Sequence, residues 1–492
     1  MHTTTTTDGT LSHPIPKDVQ RYQLPAINRD SYTVVRSSNR GKPSIDPYEI
    51  VRFLEDNWIF YYHALPYKFN GCIYQQMDES YVEQLVYDLV FEKVSVFPAG
   101  AEKPLLTTDL LKNTMKLYIN THTPRSIPLP PNGSEAMAEY DSELGLIAFQ
   151  NGILNLDSLE FLPFTPYIFL TFQIQAMYDP TLTEHKVEKI YKKILPDEAT
   201  RNIFYRLVGY TVFSDTLRMP GIFMLYGGGE TGKTSLQKAI AALIGPDSYT
   251  SLSMVDFADK FAPSMLEGKR ANFCGEADSR SATETKISGG MLKDISESGK
   301  TITVRRIYSP PMQIEPTAKL WFCSNVMPDF GDRTSGLYRR LYIIPCRVKQ
   351  RWDDQIQDVM LEPTALTWLA NKCFAAYMEF LADGCKITPS DDMKTEINQY
   401  MMQNTLMEFL EEEFGHVSSK DELAEKLVGQ SVVTLYSRYE AFCRTRYAKP
   451  VRSSDFSETI RNEYNMQYSY AKEHRLPDGK TLQGNKIYVR RE

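Results

Sequence analysis

The sequence has no uninterrupted apolar run approaching the roughly 18 residues that a membrane span needs. It has no CxxC pair. Its cysteines (Cys72, Cys274, Cys323, Cys346, Cys373, Cys385 and Cys443) are scattered, which argues against a zinc ribbon and a disulfide framework and for a reducing cytoplasm. None has a His placed as a catalytic partner, so they read as small buried hydrophobes. Met1 to Asp8 is a Thr run without a basic region or an apolar core, hence no signal peptide. There is no internal repeat. Positive charge is not in excess either: the 492 residues carry a net −7. Its distribution matters more than its sum. From Ser431 to Glu492, 12 Lys and Arg face 7 Asp and Glu, a net of +5, so the remaining 430 residues carry −12.

What is present suggests several domains, since this length exceeds one ordinary core. Residues 1–40 lack apolar periodicity and predict a mobile arm. Residues 41–125 form an N-terminal α+β module. It opens with a helix start at Asp46-Pro47-Tyr48-Glu49, burying Ile50, Phe53 and Leu54. A hairpin over Tyr67 to Tyr74 turns on Asn70-Gly71 as a type I′ turn, and further helices are expected at Ser80–Glu92 and Thr108–Tyr118. Prolines between Pro124 and Gly133 mark a linker. A module over 144–217 opens with a strand-and-turn at Asn151–Asp157 and continues into helices. Residues 218–350 alternate short β runs with helices, the pattern of a parallel sheet. A helical connector spans 351–415. Over 431–492 the order helix, helix, hairpin suggests a winged-helix-like DNA-binding domain.

Gly227-Gly228-Gly229-Glu230-Thr231-Gly232-Lys233-Thr234 fits the phosphate-binding pattern G-x-x-x-x-G-K-[ST]. Its glycines let backbone N–H groups wrap phosphates, the lysine neutralises the β and γ groups, and the threonine hydroxyl holds Mg²⁺. Ser235 completes the nucleotide-binding set. The context confirms it: Ile222 to Tyr226 is an apolar β run, and Thr234 to Ile244 is an amphipathic helix stopped by Gly245. Hydrolysis needs an acidic group near Mg²⁺ and the attacking water. The run Ala271 to Gly275 ends in Glu276, with Asp278 two residues on; Thr234, Glu276 and Asp278 are the candidate metal residues. A third run, Leu320 to Cys323, ends in Ser324-Asn325, a polar position able to sense the γ-phosphate. Arg339 and Arg340 precede another apolar run, where an arginine could complete a neighbour's site.

These four motifs, in this order between Gly227 and Arg340, resemble the superfamily 3 helicases, above all the helicase part of phage and plasmid primases and poxvirus-type primase-helicases. The resemblance covers about Leu144 to Val348, with a looser likeness at the C-terminal winged helix. It implies an AAA+-like P-loop ATPase core in an α/β fold, preceded by mainly helical modules. It also implies a ring, usually of six subunits, with ATP between neighbours and DNA in the channel. It assigns Lys233 and Thr234 to ATP and Mg²⁺, Glu276 to the acidic motif, Asn325 to the sensor and Arg340 to the arginine finger. The family's DNA-tracking hairpin maps onto Thr301 to Ile314, with Lys300, Arg305, Arg306 and Tyr308 as contacts; positive charge beside an aromatic suits a single strand. The sequence departs from the family at three places. Thr231 replaces Asn, Glu276-Ala277-Asp278 replaces adjacent carboxylates, and Lys300 replaces Asp.

The function implied is ATP-dependent DNA unwinding for a virus, phage, plasmid or related element, in the host cytoplasm and without membrane contact. Single-stranded and forked DNA, further copies of the chain and a separate primase are the partners. Two other readings use the same residues: a P-loop switch indifferent to DNA, and an origin-binding protein with a weak motor. Only about 140 residues precede the second module, short for a polymerising domain.

Overall fold

The computed structural model describes residues 21–24, 26–38, 41–62, 65–95, 113–114, 145–276, 289–306, 310–328, 335–349, 354–415, 420–446, 450–475 and 481–491. The expected helix at 108–118 and the proline linker lie almost wholly outside them. No helix among the described residues is long and apolar enough to cross a membrane.

The N-terminal module is mixed, not mainly helical. Strands β1 (Val35–Ser38) and β2 (Gly41–Ile45) pair antiparallel beside helix α1 (Pro47–Asp56), where Asp46 caps the Tyr48 N–H as its sequence predicts. Strands β3 (Ile59–Tyr62), β4 (Leu65–Phe69) and β5 (Tyr74–Gln76) form a second sheet, followed by α2 (Glu79–Ser95). Two expectations change here. Part of the arm assigned to 1–40 is folded: Tyr22 and Leu24 pack on the Phe69 and Tyr74 cluster, and Tyr32 and Val34 are buried with α1 and α2 in one core. The β4–β5 connection is a four-residue loop, not a two-residue turn. Phe69 pairs with Tyr74, and the Asn70 carboxamide oxygen accepts from the Cys72 and Ile73 N–H groups.

A three-stranded antiparallel sheet, β6 (Leu146–Phe149), β7 (Gly152–Asn155) and β8 (Phe161–Leu162), opens the next region, so this region too is mixed. Helices α3 (Glu188–Ile194) and α4 (Glu198–Phe213) follow. Their apolar residues share one core with the sheet that comes after them.

That sheet contains β9 (Ile222–Tyr226), β10 (Tyr249–Thr250), β11 (Ala271–Glu276), β14 (Lys319–Ser324) and β15 (Leu341–Pro345), all parallel in the order β10-β11-β14-β9-β15. Alternation along the strands settles its two faces. Phe223, Leu225, Phe273 and Trp321 pack against α4, helix α5 (Lys233–Ile244) and the later α9. Ile222, Met224, Leu320 and Phe322 face the opposite layer of 252–266, helix α6 (Gly289–Ile295) and the hairpin β12 (Ile302–Val304) and β13 (Met312–Ile314). The fold is therefore α/β with a five-stranded parallel core.

After the short helix α7 (Ser335–Tyr338) and β15 come α8 (Asp354–Leu361), α9 (Pro363–Ala382) and the 24-residue α10 (Asp391–Phe414). The C-terminal core begins inside α10, at Leu406, and not at 431. It continues through α11 (Lys420–Leu427), α12 (Val432–Thr445) and α13 (Ser453–Glu463) to the hairpin β16 (Met466–Arg475) and β17 (Thr481–Arg490). The helices and two-stranded wing expected there are present, with α11 as an additional helix.

Candidate nucleotide site

In a parallel sheet the carboxyl ends of the strands form one edge, and loops at that edge carry the chemistry. Register aligns three strands there. Tyr226 pairs with Ser324, Leu225 with Cys323, and Cys323 with Glu276. The loop 227–232 leaves β9, Asn325 follows β14, and the backbone of Glu276 closes β11. The motifs separated in sequence thus share one edge. Asn325 is exposed there. Asp278 lies outside the described residues.

The loop is shaped by close approach. A side chain at Gly227 would put its Cβ 2.0 Å from the Cys346 carbonyl oxygen, and Gly227 has φ 153°. Gly228 and Gly229 instead border open space. Gly232, at φ 88°, precedes α5 without a side-chain cap, so the first N–H groups of the helix face the loop and suit an anion. Glu230, Thr231, Gly232, Lys233, Thr234 and Ser235 line a pocket of about 140 Å³. The Lys233 ammonium donates to the carbonyls of Gly227 (2.7 Å) and Gly228 (2.5 Å). Thr231, where the family carries Asn, donates to the Gly228 carbonyl at 3.0 Å and stitches the loop. The Thr234 hydroxyl belongs to an exposed residue at the helix start, whereas Ser235 is buried. An uncapped helix end, a lysine held in the loop and a free threonine position fit a nucleotide phosphate with Mg²⁺.

Gln237, which the motif reading missed, lies one turn beyond Lys233. Its buried carboxamide donates to the Cys274 carbonyl at 2.9 Å, tying α5 to the acidic strand just before its register shifts between Cys274 and Glu276. A polar residue on the inner face of an apolar helix is the signal that could have found it.

The two arginines lie away from the phosphate loop. Leu341 pairs with Ile222 at the start of β9, so Arg339 and Arg340 lie at the edge opposite the phosphate loop. Arg340 is 5% exposed, ion-paired to Glu297 and bonded to the Gly336 carbonyl. Burial lowers its pKa, opposed by Asp294. It is committed within its own chain, while Arg339 is exposed.

The hairpin β12–β13 is present, with Ile302 opposite Ile314. Arg305 and Arg306 lie exposed beyond β12; Arg306 pairs with Glu267, and Lys300 pairs with Asp294 at 2.5 Å. Tyr308 lies outside the described residues. The sequence reading missed the neighbouring loop. The Arg305 N–H donates to the Lys260 carbonyl, and Phe261 beside it is 45% exposed. An exposed aromatic next to lysine, between the phosphate loop and the acidic strand, is a signal the sequence did contain.

Residues 134–197 match the family "D5 N terminal like", and residues 225–340 match a "Family of unknown function (DUF5906)". The chain resembles the superfamily 3 primase-helicases. Over 219 residues, 42% of this chain, it is 26% identical to the "Putative helicase L207/L206" of Acanthamoeba polyphaga mimivirus, covering 22% of that protein. Over 237 residues, 46% of this chain, it is 25% identical to the "Putative helicase 184R" of Invertebrate iridescent virus 6, covering 24% of that protein. The chain thus spans less than a quarter of the length of these relatives. The apo C-terminal region of NrS-1 superposes loosely, with a TM-score of 0.42 and 12% identity over 90% of this chain and 99% of that one.

Proposed function

We propose that the chain is an AAA+-like, ATP-hydrolysing DNA motor of the superfamily 3 helicase kind, working as a ring. One observation carries this reading. The sheet brings the phosphate loop, Glu276 and Asn325 to one edge and leaves an exposed arginine, Arg339, at the other, so that a head-to-tail neighbour can supply what one subunit lacks. Lys233 and Thr234 hold ATP and Mg²⁺, with Glu276 or Asp278 as the acidic partner. When bound, Mg²⁺ offsets charge on the β and γ phosphates. The sensor is Asn325. Arg339 takes the finger role that the sequence assigned to Arg340. Arg305 and Arg306, with Lys260 and Phe261 alongside, face a single strand. The basic C-terminal module adds duplex contact.

The deciding experiment measures ATP turnover with and without single-stranded DNA, beside strand displacement on a fork, for the full chain and for Lys233→Ala. Turnover should rise with DNA and vanish in the variant. Turnover indifferent to DNA would favour the P-loop switch; DNA affinity without displacement would favour the origin-binding reading.

A further inference from the structure

The cluster on the outer face of the sheet contains one buried residue from beyond β15, Tyr400; its other buried members come from Ile222 to Leu341. Tyr400 sits mid-way along α10, is 5% exposed, and reaches away from its helix into the motor core. Its hydroxyl donates to the Pro328 carbonyl at 2.7 Å, and Pro328 lies three residues past Asn325. Its ring meets the Tyr338 ring edge-on at 5.7 Å, and Tyr338 directly precedes Arg339. One side chain therefore touches both the exit of the sensor strand and the segment carrying the exposed arginine.

The same helix is fixed at both ends. One turn before Tyr400, Glu396 accepts from Arg347 at 2.7 Å, just past the exit of β15, and Asp392 pairs with the same arginine at 3.5 Å. Beyond Tyr400, Leu406, Phe409 and Leu410 belong to the C-terminal core. Glu413 pairs with Arg438, Glu412 and Glu408 pair with Arg446, and Thr405 meets the Tyr439 hydroxyl at 3.0 Å. Helices bend only gently unless interrupted, and this one carries no proline or glycine within its span. The helix α10 therefore joins the C-terminal core to Tyr400 without a break.

We propose that Tyr400 is a positioning residue: it sets the height of Pro328, and through it Asn325, according to where helix α10 and the C-terminal module sit. The proposal rests on the nucleotide-site reading above. It makes the module a regulator of turnover as well as a DNA contact.

The test is Tyr400→Phe in the full chain, which removes the hydroxyl and keeps the ring. Its matched control is Tyr74→Phe, since Tyr74 makes the same kind of bond, to the Pro166 carbonyl at 2.6 Å, far from the motor edge. Tyr400→Phe should lower kcat about tenfold, the loss of one positioning hydrogen bond, with KM for ATP close to wild type and a melting temperature that falls no further than in Tyr74→Phe. DNA stimulation should fall with it. Unchanged kcat overturns the proposal, as does an equal loss in Tyr74→Phe or a rise in KM with kcat intact. Lys233→Ala, run beside them, reports separately on the site: turnover that survives it sinks the proposed function, and this role of Tyr400 with it.

Discussion

Arg340 and Glu297 form an ion pair at the edge of the sheet opposite Lys233, with the arginine buried and the glutamate more than a third exposed. Glu297 stands between α6 and the hairpin, so the pair fastens the base of the β12–β13 hairpin to the strand that begins at Leu341. Its neighbour Arg339 is exposed. Two adjacent arginines thus differ in burial and pairing, and the consequence is measurable.

Arg339→Ala is expected to cut turnover by about 10³ to 10⁵, as loss of an arginine finger does, at an unchanged melting temperature. Arg340→Ala should destabilise by about 1–2 kcal/mol, less than a fully buried pair because water reaches Glu297. Subunit mixing adds the trans test. Arg339→Ala chains exchanged with Lys233→Ala chains should regain activity at interfaces that combine an intact Arg339 with an intact Lys233. If mixed rings form and no ratio exceeds the parents, Arg339 does not act in trans.

Lys319 gives a pH-dependent prediction. At the start of β14 it is wholly buried, donating to the Ser214 carbonyl at 2.6 Å, with its Nζ 4.9 Å from the Tyr210 ring centre. Burial holds its pKa well below the ordinary 10.5, and Arg270 pushes the same way. In the window between its folded value and 10.5 the unfolded chain binds the extra proton, so stability contributed here rises with pH. Lys319→Met removes that slope. Chemical denaturation from pH 6 to 10 should show the variant gaining on wild type as pH falls; parallel curves would refute a neutral Lys319.

How much of this was legible in the sequence follows from what each residue depends on. Ile222 to Tyr226 announced a strand because a five-residue apolar run ahead of a glycine loop has few other uses, and the loop itself is set by local backbone needs at Gly227 and Gly232. Glu276 and Asn325 were legible through order alone, since parallel strands deliver their carboxyl ends to one edge. Arg339 and Arg340 were not separable, because which of them is buried depends on Glu297, 43 residues away. Tyr32 and Val34 looked like part of a tail because only two alternating positions carried the signal. The single core shared by α4 and the sheet left no mark in local pattern, because its contacts join residues far apart in sequence.

Gln237→Leu should keep α5 apolar and helical while leaving the Cys274 carbonyl without its donor. The expected cost is about 1–2 kcal/mol in stability, together with slower turnover, since Cys274 sits two residues before Glu276. ATP binding through Lys233 should persist. Wild-type turnover alongside a clear drop in melting temperature would show that Gln237 serves the fold alone.

Phe261 and Arg305 separate stacking from charge on the proposed single-strand surface. They lie side by side, because the Arg305 N–H bonds the Lys260 carbonyl, yet their contributions differ in kind. A base stacked on an aromatic gains about 1–3 kcal/mol with little dependence on salt. A phosphate neutralised by arginine releases a counterion, so its energy falls as salt rises. Phe261→Ala should therefore weaken single-strand affinity by about tenfold or more at every ionic strength, leaving the slope of log affinity against log salt unchanged. Arg305→Ala should weaken binding chiefly at low salt and make that slope shallower by about 0.7 to 1. Arg306, paired to Glu267, should contribute less, since its charge is already partly met. Fluorescence anisotropy of a labelled oligonucleotide, titrated at four or five salt concentrations, reads both quantities at once. Should Phe261→Ala bind as wild type does, or alter only the slope, the loop beside the hairpin is not a stacking platform and the DNA path runs elsewhere.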